Sequence, residues 1–106
     1  MKTELVTVFM TAPDGEVAER LGRTLVEERL AACANIVPEV ASVYRWEGEV
    51  RRDAEALVIV KTTADALAAL EARVVELHPY TVPEVIALPV VGGHGPYMDW
   101  VRAEVS

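Results

Sequence analysis

The spacing of hydrophobic residues changes several times in the first half of the chain, and each change predicts a new element. Leu5–Met10 is almost continuously apolar and rich in β-branched residues, which is typical of a strand buried on both faces. Apolar residues then recur at helical spacing and predict a helix over Asp14–Leu30. Two extended segments follow, Ala34–Trp46 and Glu49–Thr62, and Glu47-Gly48 between them predicts a tight turn. These segments are therefore expected to form a hairpin.

The second half of the chain predicts one more helix and strand, followed by a short terminal helix. The helix is expected to start at Thr62 or Thr63, where Thr62 and Asp65 resemble a capping box, and to end at His78, which precedes a proline. Val82–Val91 is predicted to be the fourth strand. The residues that predict the start and the apolar side of the terminal helix are Pro96, Tyr97, Trp100 and Val101.

This order of elements predicts an α+β fold of the ferredoxin-like βαββαβ type, as a single domain over residues 1–106. Hairpin strands of about 12 residues reach about 40 Å, whereas a domain of this size is about 35 Å across. The hairpin is therefore expected to project, carrying Val40 and Val43, and Pro38 predicts a bulge or an edge position in it. Because exposed apolar edges are normally covered, we expect an oligomer.

Charge and cysteine content exclude several classes of partner. Seventeen acidic and ten basic residues give a net charge of −7, which argues against binding to a nucleic-acid backbone. The single cysteine, Cys33, excludes an intrachain disulfide and is expected to be a buried, unreactive thiol. No apolar run approaches the length of a membrane span, about 20 residues, and the first run is too short for a signal peptide. We therefore expect a cytoplasmic protein that binds neither nucleic acid nor membranes.

Two residues near the second helix end are candidate metal ligands. The chain has no CxxC, HExxH, phosphate-binding glycine loop or GxSxG motif, so an enzyme is not expected. His78 is the best candidate because imidazole is the commonest metal ligand, and the prolines that follow it are expected to return the Glu84 carboxylate towards it. The alternatives are a histidine that faces the negative end of the helix dipole and a carboxylate solvated at a strand end.

A cleft between subunits is predicted from the remaining polar residues. Lys61 ends a strongly apolar strand, so it is expected to face solvent or to pair with a carboxylate such as Glu84. The strands that carry this pair are expected to lie side by side or to meet across a subunit boundary. Tyr80, Trp46 and Cys33 complete the predicted cleft, with a plain subunit contact as the alternative role of Trp46.

Five segments occur in chain order that together resemble one known family: LVEERLAACANIVP, YRWEGE, VKTT, HPYTVPE and YMDW. They are similar to the CutA family of divalent-cation-tolerance proteins, and the resemblance covers essentially the whole chain. It implies a homotrimer of ferredoxin-like protomers, similar in architecture to the PII signalling proteins, and a role in tolerance of copper and other divalent cations. The positions that correspond to the family's copper site are Met10, Leu77 and His78, where Met10 offers Cu(I) a thioether.

Three functions are compatible with these observations. The first is a CutA-like trimer that binds copper or another divalent cation weakly and loses the metal when His78 is removed. The second is a PII-like signalling or scaffold protein that binds a small anionic metabolite or a protein partner in clefts between subunits. The third is an enzyme that uses Lys61, His78 and Glu84 in such a cleft.

Overall fold

A computed structural model describes residues 4–106, and within them every strand lies in one antiparallel sheet. The elements in chain order are β1 (Leu5–Ala12), α1 (Gly15–Glu27), β2 (Cys33–Trp46), β3 (Glu49–Thr63), α2 (Leu67–Leu77), β4 (Ile86–Pro89) and α3 (Gly95–Glu104). The strand order is β2-β3-β1-β4. This topology confirms the predicted α+β, ferredoxin-like fold. Residues 1–3 of the predicted domain lie outside the described part.

The core lies between one face of the sheet and helices α1 and α2. Its buried residues from the two central strands and the two helices are Val8, Met10, Val58, Val60, Leu21, Leu25, Leu70 and Val74. Helix α1 approaches β2 closely at Gly22, where an added Cβ would lie 2.9 Å from the Ala34 Cβ. The strict alternation of buried residues along β3 leaves its other residues on the opposite face of the sheet.

Both ends of α1 have identifiable causes. The Asp14 carboxylate accepts a hydrogen bond from the Val17 N–H at 2.9 Å and caps the N-terminus. The helix ends at Glu27 rather than at the predicted Leu30, because Arg29 adopts a left-handed conformation with φ of 59°. The amides of Arg29 and Leu30 then donate to carbonyls of the last turn, in the pattern of a Schellman motif.

The predicted hairpin of β2 and β3 is confirmed, including its turn and its bulge. Glu47 and Gly48 both have positive φ, 51° and 79°, as a two-residue type I′ turn requires. The pairing register shifts between Val37 and Val40, around Pro38, and β2 is an edge strand. The protomer measures 46 × 25 × 22 Å, and Val43 is 68% exposed, as expected of a hairpin that projects from the domain.

The turn that leads into the second helix is capped by a different threonine from the predicted one. The Thr63 hydroxyl accepts a hydrogen bond from the Ala66 N–H at 3.2 Å and starts a short 3₁₀ turn before α2. Thr62 lies in the core, where its hydroxyl donates to the Leu30 carbonyl at 2.6 Å. The predicted capping box of Thr62 and Asp65 is therefore wrong, because alternation along β3 turns Thr62 inward.

Strand β4 is shorter than predicted. It spans Ile86–Pro89 instead of Val82–Val91 and pairs with Val6–Phe9 of β1. Pro83 has no N–H to give to a ladder, and the residues from Thr81 to Val85 form bends and irregular backbone instead. The segment between α2 and β4 is consequently a loop that lies beside the end of β1.

Among residues 4–106, only α3 covers the face of the sheet opposite α1 and α2, and it does so at one end. There Val101 of α3 packs against Leu5 and Ala32, while the other predicted apolar residues of α3, Tyr97 and Trp100, stay partly exposed. Further along this face, Ile86 and Leu88 are 53% and 48% exposed. We call this side the uncovered face. No helix within residues 4–106 is long and apolar enough to cross a membrane.

Candidate functional site

A cleft of about 870 Å³ lies where the uncovered face meets the hairpin. Its walls include three aromatic and three carboxylate side chains, which define the acidic cleft: Tyr44, Trp46, Tyr80, Asp53, Glu55 and Glu84. Asp53 and Glu55 are two residues apart on β3 and so share one face of the strand. Glu84 reaches the cleft from the loop before β4. The Trp46 indole donates a hydrogen bond to Glu47 at 2.9 Å.

Two of the three carboxylates accept a hydrogen bond from a tyrosine hydroxyl. Tyr80 donates to Glu55 at 2.7 Å, and Tyr44 donates to Asp53. The pKa of Tyr80 is raised by burial and by its bond to Glu55, and the pKa of Tyr44 is raised chiefly by its bond to Asp53. Each hydroxyl therefore stays protonated at neutral pH and neutralises none of the cleft's negative charge.

Glu84 is the third carboxylate, and no residue in the range 4–106 donates a hydrogen bond to it. Burial raises its pKa first, and the negative charge of Glu55 raises it further. Arg51 also lines the cleft, but it lies 3.7 Å from Glu49 at the rim. Among residues 4–106, the Glu84 carboxylate thus has no compensating positive charge.

The other end of the uncovered face holds the second half of the predicted cleft. Lys61 lies directly opposite Cys33, and its ammonium donates a hydrogen bond to the Asn35 side-chain oxygen. The Cys33 thiol donates to the same oxygen at 3.7 Å, and its contact with Tyr97 helps to raise the Tyr97 pKa, after burial. We call these four residues the lysine end. Cys33 is half-buried rather than fully buried.

The two halves lie at opposite ends of the sheet within one protomer. Lys61 is aligned with Thr7 of β1, whereas Glu84 lines the cleft beside Thr11. Four residues of strand separate these levels, which is about 13 Å, and β1 lies between β3 and β4. The prediction that Lys61 and Glu84 are carried by neighbouring strands is therefore wrong. Their meeting across a subunit boundary stays a prediction.

The candidate copper ligands do not form a metal site in the protomer. The Met10 side chain is fully buried in the core, and Leu77 has no donor atom. His78 is 7% exposed, with hydrogen bonds at both ring nitrogens: Nε2 to the Thr11 carbonyl at 2.7 Å and Nδ1 from the Tyr80 N–H at 3.1 Å. Among residues 4–106, no three His, Cys, Asp or Glu side chains are grouped to hold a metal ion.

Sequence reasoning missed the carboxylates of the hairpin and the amide beside the lysine. Asp53 and Glu55 belong to an exposed polar stretch, and their alternation was the only indication that they share a face. Tyr44 was not predicted to line a cleft. Asn35 carried no motif of its own, although it is the partner of Lys61.

Comparison with known proteins places the chain in a family. The sequence model described as "CutA1 divalent ion tolerance protein" matches residues 6–104. The divalent-cation tolerance protein CutA of Thermus thermophilus is 56% identical over 95 residues, which cover 90% of this chain and 92% of that protein. Human protein CutA is 47% identical over 89% of this chain and 52% of its own length.

Solved structures agree with this assignment. The Thermus thermophilus divalent cation tolerance protein superposes with a TM-score of 0.94 at 52% identity, covering 96% of this chain and 99% of that one. CutA1 from Oryza sativa superposes with a TM-score of 0.95 at 45% identity, covering 98% and 95%. The chain therefore belongs to the CutA1 divalent ion tolerance protein family.

Proposed function

We propose that this protein acts in divalent-cation tolerance as a homotrimeric binding protein, not as an enzyme, and that it holds divalent cations weakly in the acidic cleft. The observation that carries the proposal is that Asp53, Glu55 and Glu84 all line one cleft of a CutA1-family chain. Relatives and structural neighbours are named for divalent-cation tolerance, which supports the same function. We also propose that the protein is cytoplasmic. This location is specific to the present proposal, since a plant relative is named as chloroplastic.

The donor atoms of the cleft favour hard cations over copper. Carboxylate oxygens suit Mg²⁺, Ca²⁺ and Mn²⁺, whereas copper prefers imidazole and sulfur ligands. In their present positions, Met10 and His78 do not form a copper site. Met10 is fully buried in the core, and both ring nitrogens of His78 take part in hydrogen bonds. Copper binding would need a rearrangement of this region or ligands from other copies.

Titration of the assembled protein with Mn²⁺ and with Cu²⁺ tests the cation site. We expect saturable Mn²⁺ binding with a Kd weaker than about 10⁻⁵ M, since only one of the three carboxylates is uncapped and, in the proposed trimer, the cation competes for it with Lys61 of the next copy. Glu84→Gln should weaken it, whereas Glu71→Gln, which removes the same charge from an exposed position on α2, should not. Absence of saturable binding, or equal affinities of the two variants, would overturn the proposal.

The trimer is supported by the shape and charge of the protomer. The uncovered face exposes Ile86 and Leu88, and a soluble protein normally covers such a surface. Its two ends carry opposite charges, so a head-to-tail contact pairs them, and such contacts form a closed ring where the rotation between copies closes. In such a ring, Lys61 and Cys33 of one copy would lie beside Trp46, Tyr80 and Glu84 of the next.

Sedimentation equilibrium tests the assembly directly. We expect a species three times the 11.6 kDa mass of one chain at micromolar concentration. Leu88→Asp, which places a charge on the uncovered face at the edge strand β4, should dissociate it, while Val75→Asp on the exposed side of α2 should not. A wild-type monomer or dimer, or a trimer that persists in Leu88→Asp, would contradict the proposed arrangement.

A further inference from the structure

The His78 ring has no lone pair left for a metal. A backbone N–H can only donate, so Nδ1 must be the acceptor of the 3.1 Å hydrogen bond from Tyr80. Nε2 then carries the proton of the neutral ring and donates it to the Thr11 carbonyl at 2.7 Å. The two partners impose the same tautomer, because a carbonyl oxygen can only accept. Binding a cation at either nitrogen would break one of these bonds.

The same two hydrogen bonds determine where Tyr80 lies. The ring of His78 is tied to the end of β1 through Thr11, and it holds the backbone of Tyr80 two residues further along the chain. The two rings are also in contact, with centroids 4.6 Å apart. From this position the Tyr80 hydroxyl donates to Glu55 on β3 at 2.7 Å. A continuous series of contacts therefore joins His78 to a carboxylate of the acidic cleft.

Tyr80 reduces the number of carboxylate lone pairs that the cleft offers to a cation. Glu55 directs one lone pair at the Tyr80 hydroxyl, so a cation must displace that hydroxyl to use the same lone pair. Asp53 is capped in the same way by Tyr44. Glu84 accepts no such bond within residues 4–106. With Tyr80 in place, Glu84 is the one uncapped carboxylate of the three.

We propose that His78 is a positioning residue that weakens cation binding in the acidic cleft, by holding Tyr80 against Glu55, and that it is not a metal ligand. The cation part of this inference rests on the proposed function, whereas the part that concerns Tyr80 does not. The inference reverses the expected effect of removing His78 on metal affinity. Removal of a metal ligand lowers the affinity, whereas removal of His78 frees Tyr80, uncaps Glu55 and raises the affinity.

Variants of His78 separate its two hydrogen bonds. His78→Asn keeps an acceptor near the position of Nδ1, His78→Gln keeps a donor near that of Nε2, and His78→Ala keeps neither. Tyr80→Phe uncaps Glu55 directly and serves as the reference. We expect Tyr80→Phe and His78→Ala to tighten Mn²⁺ binding up to about tenfold, equivalent to about 1.4 kcal/mol, and His78→Asn to remain close to wild type.

A spectroscopic measurement tests the positioning independently of any metal. The ¹³Cζ resonance of Tyr80, assigned by its absence in Tyr80→Phe, reports the hydrogen bond of its hydroxyl to Glu55. We expect this resonance to shift in His78→Ala and His78→Gln and to be restored in His78→Asn. If His78 only stabilised the fold, all three variants would lower the melting temperature, and the Tyr80 resonance would not shift in His78→Ala and His78→Gln and return in His78→Asn.

The outcomes distinguish the inference from the function on which it partly rests. If wild-type protein binds no Mn²⁺, the proposed function fails, and the Tyr80 resonance alone decides whether His78 positions Tyr80. If His78→Ala does not fold, Tyr80→Phe and His78→Asn still give the required comparison. Weaker Mn²⁺ binding in His78→Asn and unchanged binding in Tyr80→Phe would show that His78 is a ligand, and an unmoved Tyr80 resonance would overturn the positioning role.

Discussion

The two ends of the uncovered face differ in charge and in cover, although strand β3 runs through both. At the lysine end, α3 seals the sheet, and Lys61 is half-buried with its ammonium bonded to Asn35. At the acidic cleft no helix within residues 4–106 covers the sheet, and Asp53, Glu55 and Glu84 line an open space. A single amide is enough to accommodate one partly buried cation, whereas three neighbouring carboxylates need either water or positive charge.

The comparison shows why one protomer leaves its site incomplete. The levels of the sheet beside which Lys61 and Glu84 lie are about 13 Å apart along the strands. A second copy would bring the lysine end of one to the acidic cleft of the other. Both a head-to-tail ring and a two-fold dimer can make this contact, because in a two-fold interface residue i of one copy contacts residue j of the other and the reverse. The distribution of charge therefore predicts that unlike ends meet between copies, and sedimentation decides how many copies take part.

Loss of the apolar packing between α3 and the sheet at the lysine end should lower the free energy of unfolding more than the other changes. Leu5 is 5% exposed and packs with Ala32 and Val101. Leu5→Ala should therefore lower the free energy of unfolding by about 2–5 kcal/mol, as expected for a buried leucine. It should also make the Cys33 thiol react faster with a labelling reagent, because α3 loosens. Chemical denaturation and thiol labelling measure the two effects.

Val75→Ala is the control for that experiment, since Val75 lies on the exposed side of α2 at 54% exposure. Its unfolding free energy should change by no more than about 0.5 kcal/mol. The hydrogen bond between Tyr80 and Glu55 should be unaffected in both variants. Equal effects of Leu5→Ala and Val75→Ala would mean that α3 does not stabilise the lysine end, and the comparison would lose its basis.

The fold could be predicted because each element has a local cause in the sequence. Apolar spacing separates helices from strands, and the Glu47-Gly48 turn fixes the hairpin. The errors fall where local rules are ambiguous. Arg29 ends α1 in a left-handed conformation that usually needs glycine, and Pro83 removes half of the predicted fourth strand from the ladder.

The lysine end could not be predicted because its composition depends on the bulge in β2. The bulge shifts the pairing with β3 by one residue, so that Cys33 and Asn35 share the face of Lys61. Without it, the same face would present Ala34 and Ile36. A proline in the sequence predicts that a bulge is possible, but not how many residues it inserts.

The predicted site combined residues that the protomer keeps apart. Trp46, Tyr80 and Glu84 do lie in one cleft, since the loop before β4 lies beside the end of β1. Lys61 and Cys33 lie at the other end of the face. Chain order alone gives no distance along a sheet, so sequence reasoning left two arrangements of Lys61 and Glu84 open, and the strand order excludes the one on neighbouring strands of a single copy.

A double-mutant cycle between Lys61 and Glu84 measures whether the two ends meet. In the trimer, Lys61→Met and Glu84→Gln should each weaken assembly, and the double variant should lose less than the sum of the two. We expect a coupling of about 0.5–3 kcal/mol in the free energy of trimer dissociation, the range for residues in contact. Concentration-dependent sedimentation gives this value.

Lys61→Met combined with Glu71→Gln is the matched control, because Glu71 is an exposed carboxylate on α2. Its coupling to Lys61 should be zero within about 0.3 kcal/mol. Equal coupling of Glu84 and Glu71 would show that general charge repulsion, rather than contact between the ends, determines assembly. The head-to-tail arrangement would then have to be abandoned.

The smallest expected effect concerns the tyrosine that caps Glu55. Tyr80→Phe removes a hydrogen bond to a partly exposed carboxylate, so we expect the free energy of unfolding to fall by about 1 kcal/mol.

The folded-state pKa of Tyr80 is raised above its ordinary value, about 10. Its protonated form is therefore favoured in the folded protein, and the contribution is complete below about pH 10 and is lost as the pH rises through the folded-state value. Denaturation of wild type and variant at several pH values should show a constant difference between about pH 6 and pH 9 that shrinks at higher pH. A difference that already vanishes near neutral pH would mean that Tyr80 does not cap Glu55 in solution, and that the acidic cleft presents two uncapped carboxylates rather than one.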